Sequence, residues 1–201
     1  MTKKVIGIIG SYRKGKVIDT ALSKVLEGAK DNNAETEKIY LIDKNISYCV
    51  NCRACTQKEP EKNRGLCVHK DDMENILATI DQADAIILAS PINFSTVTAV
   101  MKKFIERLIV YAYWPWNKPF PKIRNKQKTK KAIIITSSAC PAFIGKFLMP
   151  NCLSVLKMAS GVLGAKVIKK FYFGGMSPNN NVKLPKKLLD KAYIYGKKLA
   201  S

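Results

Sequence analysis

The stretch "IGIIGSYRKGKVIDTAL" (residues 6–22) joins an apolar run to a helical pattern through a loop of small, hydroxyl and cationic residues. The apolar run ends at Gly10, which permits a sharp exit from a strand, and Ser11 and three cations follow at once. Arg13 can hold a phosphate through two hydrogen bonds, and free N–H groups at a helix start favour an anion. Neither G-x-x-x-x-G-K-[ST] nor G-x-G-x-x-G occurs here, so the loop is neither an ATPase loop nor a dinucleotide fingerprint. We therefore expect an anion site where this strand meets its helix.

Five apolar runs rich in β-branched residues alternate with helical patterns along the chain. The runs fall at residues 4–9, 35–42, 85–90, 131–139 and 165–173. Helical patterns follow at residues 17–26, 71–84, 95–113, 150–163 and 183–200, the third capped by Ser95 or Thr96. Residues 114–130 are rich in proline and lysine and are predicted to form a loop. The alternation predicts one α/β domain, residues 1–201, with a parallel sheet covered by helices on both faces.

The strand order of such a sheet decides where a ligand binds. Open parallel sheets bind ligands at the carboxyl ends of their strands, where the strand order reverses. For the order 2-1-3-4-5, that point lies between the first strand, ending at Gly10, and the third, ending at Ser90. Two loops, residues 11–20 and 91–95, are therefore expected to share the ligand.

Composition narrows the class of protein. The chain has 201 residues, 47% of them hydrophobic, which suits one globular domain, and no apolar run reaches the roughly 20 residues that cross a bilayer. No signal peptide is recognisable, so the six cysteines indicate reduced thiols, metal ligands or redox groups in a cytoplasmic protein. The net charge of +20 is interpreted as a lysine-rich surface, because no specific nucleic-acid-binding motif accompanies it.

Three stretches together resemble one protein family. They are "GSYRKGKVIDTAL" (residues 10–22), "ASPINFSTVTAVMKKFIERL" (residues 89–108) and "TSSACPAFIGKF" (residues 136–147). In this order they resemble the NADPH-dependent FMN reductase and NAD(P)H-quinone reductase group of flavodoxin-like proteins, over nearly the whole chain. The resemblance implies a flavodoxin-like five-stranded sheet, bound FMN, and NADPH or NADH as electron donor.

The cofactor loops of that family carry over onto this chain residue by residue. The FMN-phosphate loop falls on Ser11, Arg13, Ile18, Asp19 and Thr20, and the two loops beside the flavin ring fall on Pro91, Ile92, Asn93, Phe94 and Ser95 and on Ser138, Ala139, Cys140 and Phe143. Two departures stand out: Asn93 replaces the usual tyrosine, with the aromatic moved to Phe94, and the first loop is longer around residues 15–17. Because a flavin supplies the hydride chemistry itself, no catalytic side chain is expected.

The remaining charged motifs are interpreted as structural. His69 is the only histidine, and a lone histidine is more often structural than catalytic. Lys102, Glu106 and Arg107 have the spacing of a salt bridge on a helix. The cations of residues 118–131 precede the fourth strand, at the edge opposite the ligand, and most are expected to be solvated.

A cysteine-rich segment, "CVNCRACTQKEPEKNRGLC" (residues 49–67), follows the second strand. Its Cys49, Cys52, Cys55 and Cys67 resemble the ligand loop of iron–sulfur flavoproteins, a branch of the same family, and four thiolates can bind a [4Fe–4S] cluster or zinc. Eleven residues separate Cys55 from Cys67, more than the compact spacing of that branch. A loop without metal, an iron–sulfur loop and a zinc loop therefore all stay open.

Three functions follow from these patterns. The first is an FMN-dependent NAD(P)H oxidoreductase that passes electrons to a quinone, flavin, azo compound or similar small acceptor by a ping-pong mechanism. The second is an iron–sulfur flavoprotein that relays electrons to a protein partner, and the third is a nucleic-acid-associated or structural flavodoxin-like protein. Residues 111–121 place five aromatics in a loop expected to be exposed, so we predict a homodimer, or a higher homo-oligomer, that buries Trp114 or Trp116.

Overall fold

The five apolar runs form one parallel sheet. The computed structural model describes residues 2–58, 61–124, 126–176 and 182–201. Along the chain its strands are β1 (Lys4–Ile9), β2 (Glu35–Tyr40), β3 (Ala85–Pro91), β4 (Ala112–Tyr113), β5 (Lys122–Ile123), β6 (Lys130–Ser137) and β7 (Ala165–Phe173). The sheet has the order β2-β1-β3-β6-β7, and all its neighbouring strands are parallel. This confirms the predicted order 2-1-3-4-5, since β6 and β7 are the predicted fourth and fifth strands.

Helices cover both faces of the sheet, as predicted. They are α1 (Val17–Lys30), α2 (Met73–Asp81), α3 (Ala99–Arg107), α4 (Ala142–Leu148), α5 (Asn151–Val162) and α6 (Lys186–Ala200). Because successive strand residues point to opposite faces, Ile6 and Ile8 of β1 pack in the core beneath α2, α3 and α5, and Val5 and Ile9 pack in the core beneath α1 and α6. None of the helices in the described ranges combines the length and apolar character needed to span a membrane.

The third predicted helix begins later than the sequence indicated. Thr98 caps α3: its backbone is extended, and its hydroxyl oxygen accepts a hydrogen bond from the Met101 N–H at 3.2 Å. The predicted caps Ser95 and Thr96 are therefore wrong. The reason is a tight turn just before the helix, in which Asn93 and Thr96 exchange backbone hydrogen bonds of 2.9 and 3.0 Å. The chain cannot enter the helix until that turn is complete.

Three short elements, β4, β5 and α4, were not predicted. The segment predicted as a loop contains β5, which pairs antiparallel with β4, and β4 lies in the predicted helix 95–113. Residues 142–148 form α4, a helix of two turns after the fourth predicted strand. All three are too short for a periodic pattern to indicate them.

Candidate functional site

A cavity of about 430 Å³ opens at the carboxyl ends of β1, β3 and β6. This is the edge at which the strand order reverses, and both loops predicted to share a ligand border it. Among the predicted site residues, those that line the cavity are Ser11, Arg13, Ile18, Pro91, Ile92, Asn93, Ser138 and Ala139. Tyr12, Lys16, Val17, Ser137 and Met176 also line it. Tyr12, Lys16 and Val17 lie in the loop of residues 11–20 that was expected to share the ligand, whereas Ser137 and Met176 were not predicted.

The first loop ends where α1 begins, and it forms the cationic side of the cavity. The N-cap residue of α1 is Lys16, whose side chain makes no capping hydrogen bond. Arg13 and Lys16 line the cavity beside this helix start. The positive end of a helix dipole next to two cationic side chains is an arrangement that binds phosphate.

Asp19 does not line the cavity, but its carboxylate accepts hydrogen bonds that hold the first loop in place. Its carboxylate accepts hydrogen bonds from the Gly15 N–H at 2.6 Å, the Lys38 ammonium at 2.9 Å and the Tyr40 hydroxyl at 2.9 Å. Burial acts to raise the pKa of Asp19, but these bonds outweigh it and lower the pKa. Gly15 has φ +69°, where a side chain would be strained. Thr20 lies within α1 and likewise does not line the cavity.

The second loop projects its aromatic residue away from the cavity. Phe94 and Ser95 occupy the centre of the turn between Asn93 and Thr96, with φ 45° and 63°. Phe94 is fully exposed at the tip, and neither residue lines the cavity. In this single chain Phe94 does not face the cavity, because the turn directs its side chain into solvent.

The third loop is fixed by hydrogen bonds around Ser138. The Ser138 hydroxyl donates to the Cys140 carbonyl at 2.8 Å and accepts from the Tyr172 hydroxyl at 3.0 Å. The Met176 N–H donates to the Ser138 carbonyl at 2.9 Å, which brings Met176 to the cavity. Cys140 is half-buried and Phe143 is exposed on α4, and these two predicted residues do not line the cavity.

The four cysteines of residues 49–67 line a second, smaller pocket. Cys49, Cys52, Cys55 and Cys67 surround a space of about 20 Å³, together with Arg53, His69 and Arg107. Burial, and next the thiols of Cys67, Cys49 and Cys52, raise the pKa of the Cys55 thiol to about 11. In the described part of the chain, no three Cys, His, Asp or Glu side chains are arranged to hold a metal ion as they stand.

A close backbone contact between Gly65 and Cys55 brings the chain before Cys67 back to the first three cysteines. Gly65 packs so closely on the Cys55 carbonyl that a Cβ there would lie 1.8 Å from its oxygen. The Gly65 N–H donates to the Val110 carbonyl at 2.7 Å, and the Arg124 guanidinium donates to the Cys55 carbonyl at 3.1 Å. The eleven-residue gap in sequence therefore does not separate the fourth cysteine from the other three.

Arg53 ties the cysteine segment to the aromatic segment that follows α3. Its guanidinium carbon lies 3.8 Å from the ring centre of Trp114 and 4.1 Å from that of Trp116. It also donates to the Trp114 carbonyl at 2.7 Å. The aromatic segment is accordingly less exposed than predicted: Tyr111 is buried and Trp114 is half-buried, whereas Trp116 and Phe120 are exposed.

Arg107 lies on the inner side of the cysteine pocket rather than on the helix surface. Its guanidinium pairs with the Asp71 carboxylate at 2.7 Å, and both side chains are almost fully buried. Burial acts to lower the pKa of Arg107, but Asp71 and the neighbouring Cys67 outweigh it and raise the pKa. The predicted helix salt bridge is made by Lys102 and Glu106 alone, at 3.1 Å.

A comparison with protein families matches this chain to one of them. The model of the NADPH-dependent FMN reductase family aligns with residues 3–174, which include all three cavity loops. The chain belongs to that family of oxidoreductases. Family membership bears out the resemblance noted in the three quoted stretches.

The curated relatives that match this chain are named iron–sulfur flavoproteins. An iron–sulfur flavoprotein of Archaeoglobus fulgidus is 38% identical over 116 residues, which are 56% of this chain and 48% of the relative. An iron–sulfur flavoprotein of Methanocaldococcus jannaschii is 36% identical over 104 residues, 52% of this chain and 51% of the relative. The chain thus spans about half the length of the curated relatives it matches.

Solved structures support the fold over the whole chain. The NAD(P)H:quinone oxidoreductase from Methanothermobacter marburgensis has a TM-score of 0.68 at 19% identity, covering 100% of this chain and 96% of that one. An FMN-dependent NADH-azoreductase from Bacillus anthracis, solved in complex with FMN, has a TM-score of 0.65 at 15% identity, covering 100% and 98%. At these identities the likeness establishes the flavodoxin-like fold alone.

Proposed function

We propose that this chain binds FMN in the 430 Å³ cavity and acts as an FMN-dependent NAD(P)H oxidoreductase. The observation that carries the proposal is the cavity itself, where the start of α1 and two cations face the ends of β3 and β6. Its volume lies in the range of small-molecule and cofactor sites. Family membership supports the same conclusion.

The lining residues divide into a phosphate end and a ring end. Arg13, Lys16 and the first N–H groups of α1 would hold the FMN phosphate, with Asp19 and Gly15 keeping the loop in shape. Residues 91–93 and Ser138 with Ala139 would flank the flavin ring. When bound, FMN would supply the redox chemistry between NADPH or NADH and a quinone, flavin or azo acceptor, in a cycle that we propose to be ping-pong. The chain binds and orients the cofactor.

Arg13 offers the sharpest test of this assignment. Replacing Arg13 by Ala should weaken FMN binding by about 1.5–3 kcal/mol, the value of a charge-assisted hydrogen bond, and should leave riboflavin, which lacks the phosphate, nearly unchanged. The matched control is Lys14→Ala, since Lys14 lies in the same loop but pairs with Asp43 and does not line the cavity. Equal weakening of FMN and riboflavin, measured by flavin fluorescence titration, would remove Arg13 from the phosphate site.

The cysteine pocket supports a second candidate, an iron–sulfur flavoprotein that relays electrons to a protein partner. Four thiols from residues 49–67 line one pocket with two guanidinium groups, and four thiolates bind [4Fe–4S] clusters or zinc. A polynuclear cluster requires the thiols to move apart, because the present space of about 20 Å³ is close to that of one water molecule. The relatives named iron–sulfur flavoproteins support this candidate. Iron and acid-labile sulfide in anaerobically purified protein, with a brown colour, would favour it over the first.

We also propose that residues 1–201 form one domain that works in the cytoplasm as a homodimer. All six cysteines are free, which suits a reducing compartment. Phe94, Phe143, Phe147, Trp116 and Phe120 are exposed on this one chain, and such apolar surface is commonly covered by a partner. Light scattering at micromolar concentration tests the dimer.

A further inference from the structure

The side chains that line the cysteine pocket include three with a buried nitrogen atom that makes no hydrogen bond. Within the described part of the chain, the buried side-chain nitrogen or oxygen atoms without a partner are Arg53 Nε, His69 Nε2 and Arg107 Nε. All three residues line the cysteine pocket. An unpaired buried polar group costs free energy, so such groups normally find a partner elsewhere in a protein. Their gathering around one pocket indicates an acceptor that the metal-free form of the pocket does not provide.

In both arginines Nε is the buried nitrogen without a partner, while other atoms of the guanidinium are bonded. The Arg107 Nη atoms donate to Asp71 and to the Ser47 carbonyl at 2.7–3.3 Å. Arg53 is fixed between the two tryptophans and donates from Nη2 to the Trp114 carbonyl. Other atoms of each guanidinium therefore fix its orientation. Its Nε–H is left without an acceptor, in a side chain that lines the same pocket as the cysteine sulfurs.

The chemistry of the pocket identifies the missing acceptor. An arginine N–H only donates, and the four cysteine sulfurs are the largest group of possible acceptors along the pocket, which Asn51 also lines. A neutral thiol is a weak acceptor, whereas a thiolate bound to metal carries negative charge. Metal binding displaces the thiol protons, and a ring of four thiolates then needs both compensating charge and hydrogen bonds.

We propose that Arg107 and His69, with Arg53, are positioning residues that donate hydrogen bonds to the sulfur ligands of a metal centre at Cys49, Cys52, Cys55 and Cys67. The proposal rests on the metal-binding candidate function and adds to it residues outside the cysteine motif. Arg107 lies 40 residues beyond Cys67, and Asp71 holds it in place. When the centre is loaded, these donors stabilise the thiolate form and so raise metal affinity.

Cobalt titration of the reduced, metal-free full chain tests this proposal. Co²⁺ bound by thiolates gives an intense sulfur-to-metal charge-transfer band. Arg107→Lys keeps a charge beside Asp71 but removes Nε–H, and we expect it to weaken Co²⁺ binding 10- to 100-fold and to move the band to lower energy. Arg64→Lys is the matched control: Arg64 pairs with Glu74 and Asp81 through Nη2 and Nε and does not line the pocket. It should change Co²⁺ affinity less than about twofold.

A second pair of variants covers the case in which Arg107→Lys fails to fold. His69 is only half-buried; His69→Leu removes the donor, and His69→Gln keeps an N–H. We expect His69→Leu to weaken Co²⁺ about tenfold and His69→Gln to recover most of that loss. In protein reconstituted with iron and sulfide, His69→Leu should also lower the reduction potential, a tenfold change in the equilibrium corresponding to 59 mV for one electron.

The outcomes separate the two proposals. If the wild-type chain binds Co²⁺ through thiolates but Arg107→Lys and His69→Leu match it within twofold and keep its band, the donor role is refuted and the metal centre stands. If the wild-type chain shows no thiolate-to-cobalt band, both the metal centre and the donor role are refuted. If folded Arg107→Lys and His69→Leu bind Co²⁺ more weakly while Arg64→Lys binds it normally, the metal centre and the donor role are both supported.

Discussion

Thr98 connects the two central strands at the edge of the cavity, and its replacement by valine tests how the site is built. The Thr98 hydroxyl donates to the Gly10 carbonyl at 2.5 Å and accepts from the Met101 N–H at 3.2 Å, and the Thr98 N–H donates to the Ser90 hydroxyl at 3.1 Å. Thr98 is fully buried. Valine has nearly the same shape, so Thr98→Val removes the hydroxyl without opening a cavity.

The expected loss follows from the two hydroxyl bonds. Removing the N-cap of α3 costs about 1 kcal/mol, and leaving the buried Gly10 carbonyl without its donor costs about 1–3 kcal/mol. Thr98→Val should therefore lower the free energy of unfolding by about 2–4 kcal/mol and Tm by roughly 4–16 °C, at an unchanged m-value in urea.

Thr96→Val is the matched control for this variant. Thr96 was one of the caps predicted from the sequence, and the structure gives its hydroxyl no capping role. The control should lose less than about 0.5 kcal/mol, in the range of ordinary surface substitutions. Equal losses in the two variants, or a larger loss for Thr96→Val, would show that the placement of the helix start is wrong.

Three further outcomes are expected. Light scattering should give a dimer at micromolar concentration, with Trp116 fluorescence more shielded in the dimer than its exposure in one chain implies; a monomer contradicts this. Lys126 and Lys128 are exposed near the amino end of β6, opposite the cavity, so replacing both by glutamine should change kcat/KM for NADPH and NADH alike, within about twofold; an NADPH-selective loss argues otherwise. Burial acts to raise the pKa of the Asp71 carboxyl, but the bond to Arg107 outweighs burial. An NMR titration should therefore give Asp71 a pKa of about 2. Its contribution to stability, about 2 kcal/mol, is then present above pH 4 and lost as the pH falls towards 2; an Asp71 pKa near 4 refutes the strength of this pair.

The sheet could be predicted because its signals are local. Residues 85–90 are continuously buried and read as an unbroken apolar run, which is typical of a parallel strand covered on both faces. Gly10 and the cations after it mark the exit of β1, and that exit lies at the cavity. Where a pattern needs only neighbours in sequence, periodicity and residue type suffice to locate the element.

The details of the cavity needed tertiary information. The turn at residues 93–96 depends on positive φ angles at Phe94 and Ser95, which neither residue type favours, so the exposed position of Phe94 could not be foreseen. Asp19 was placed on the phosphate loop by resemblance, yet its partners Lys38 and Tyr40 belong to β2. A side chain whose role is set by another strand has no signal in its own segment.

The cysteine pocket illustrates the same limit and what it implies for function. Arg107 follows Lys102 by five positions, which turns it about 140° around an ideal helix, so it leaves the surface pair and reaches the buried Asp71. Gly65 closes the long gap before Cys67, and the aromatic segment after α3 holds Arg53. The thiols were visible in the sequence, but the donors around them come from separate segments joined only by the fold. Since one buried nitrogen of each of Arg53, His69 and Arg107 lacks a partner at this pocket, the proposed donor role predicts a pocket organised for thiolate ligands before any metal is bound.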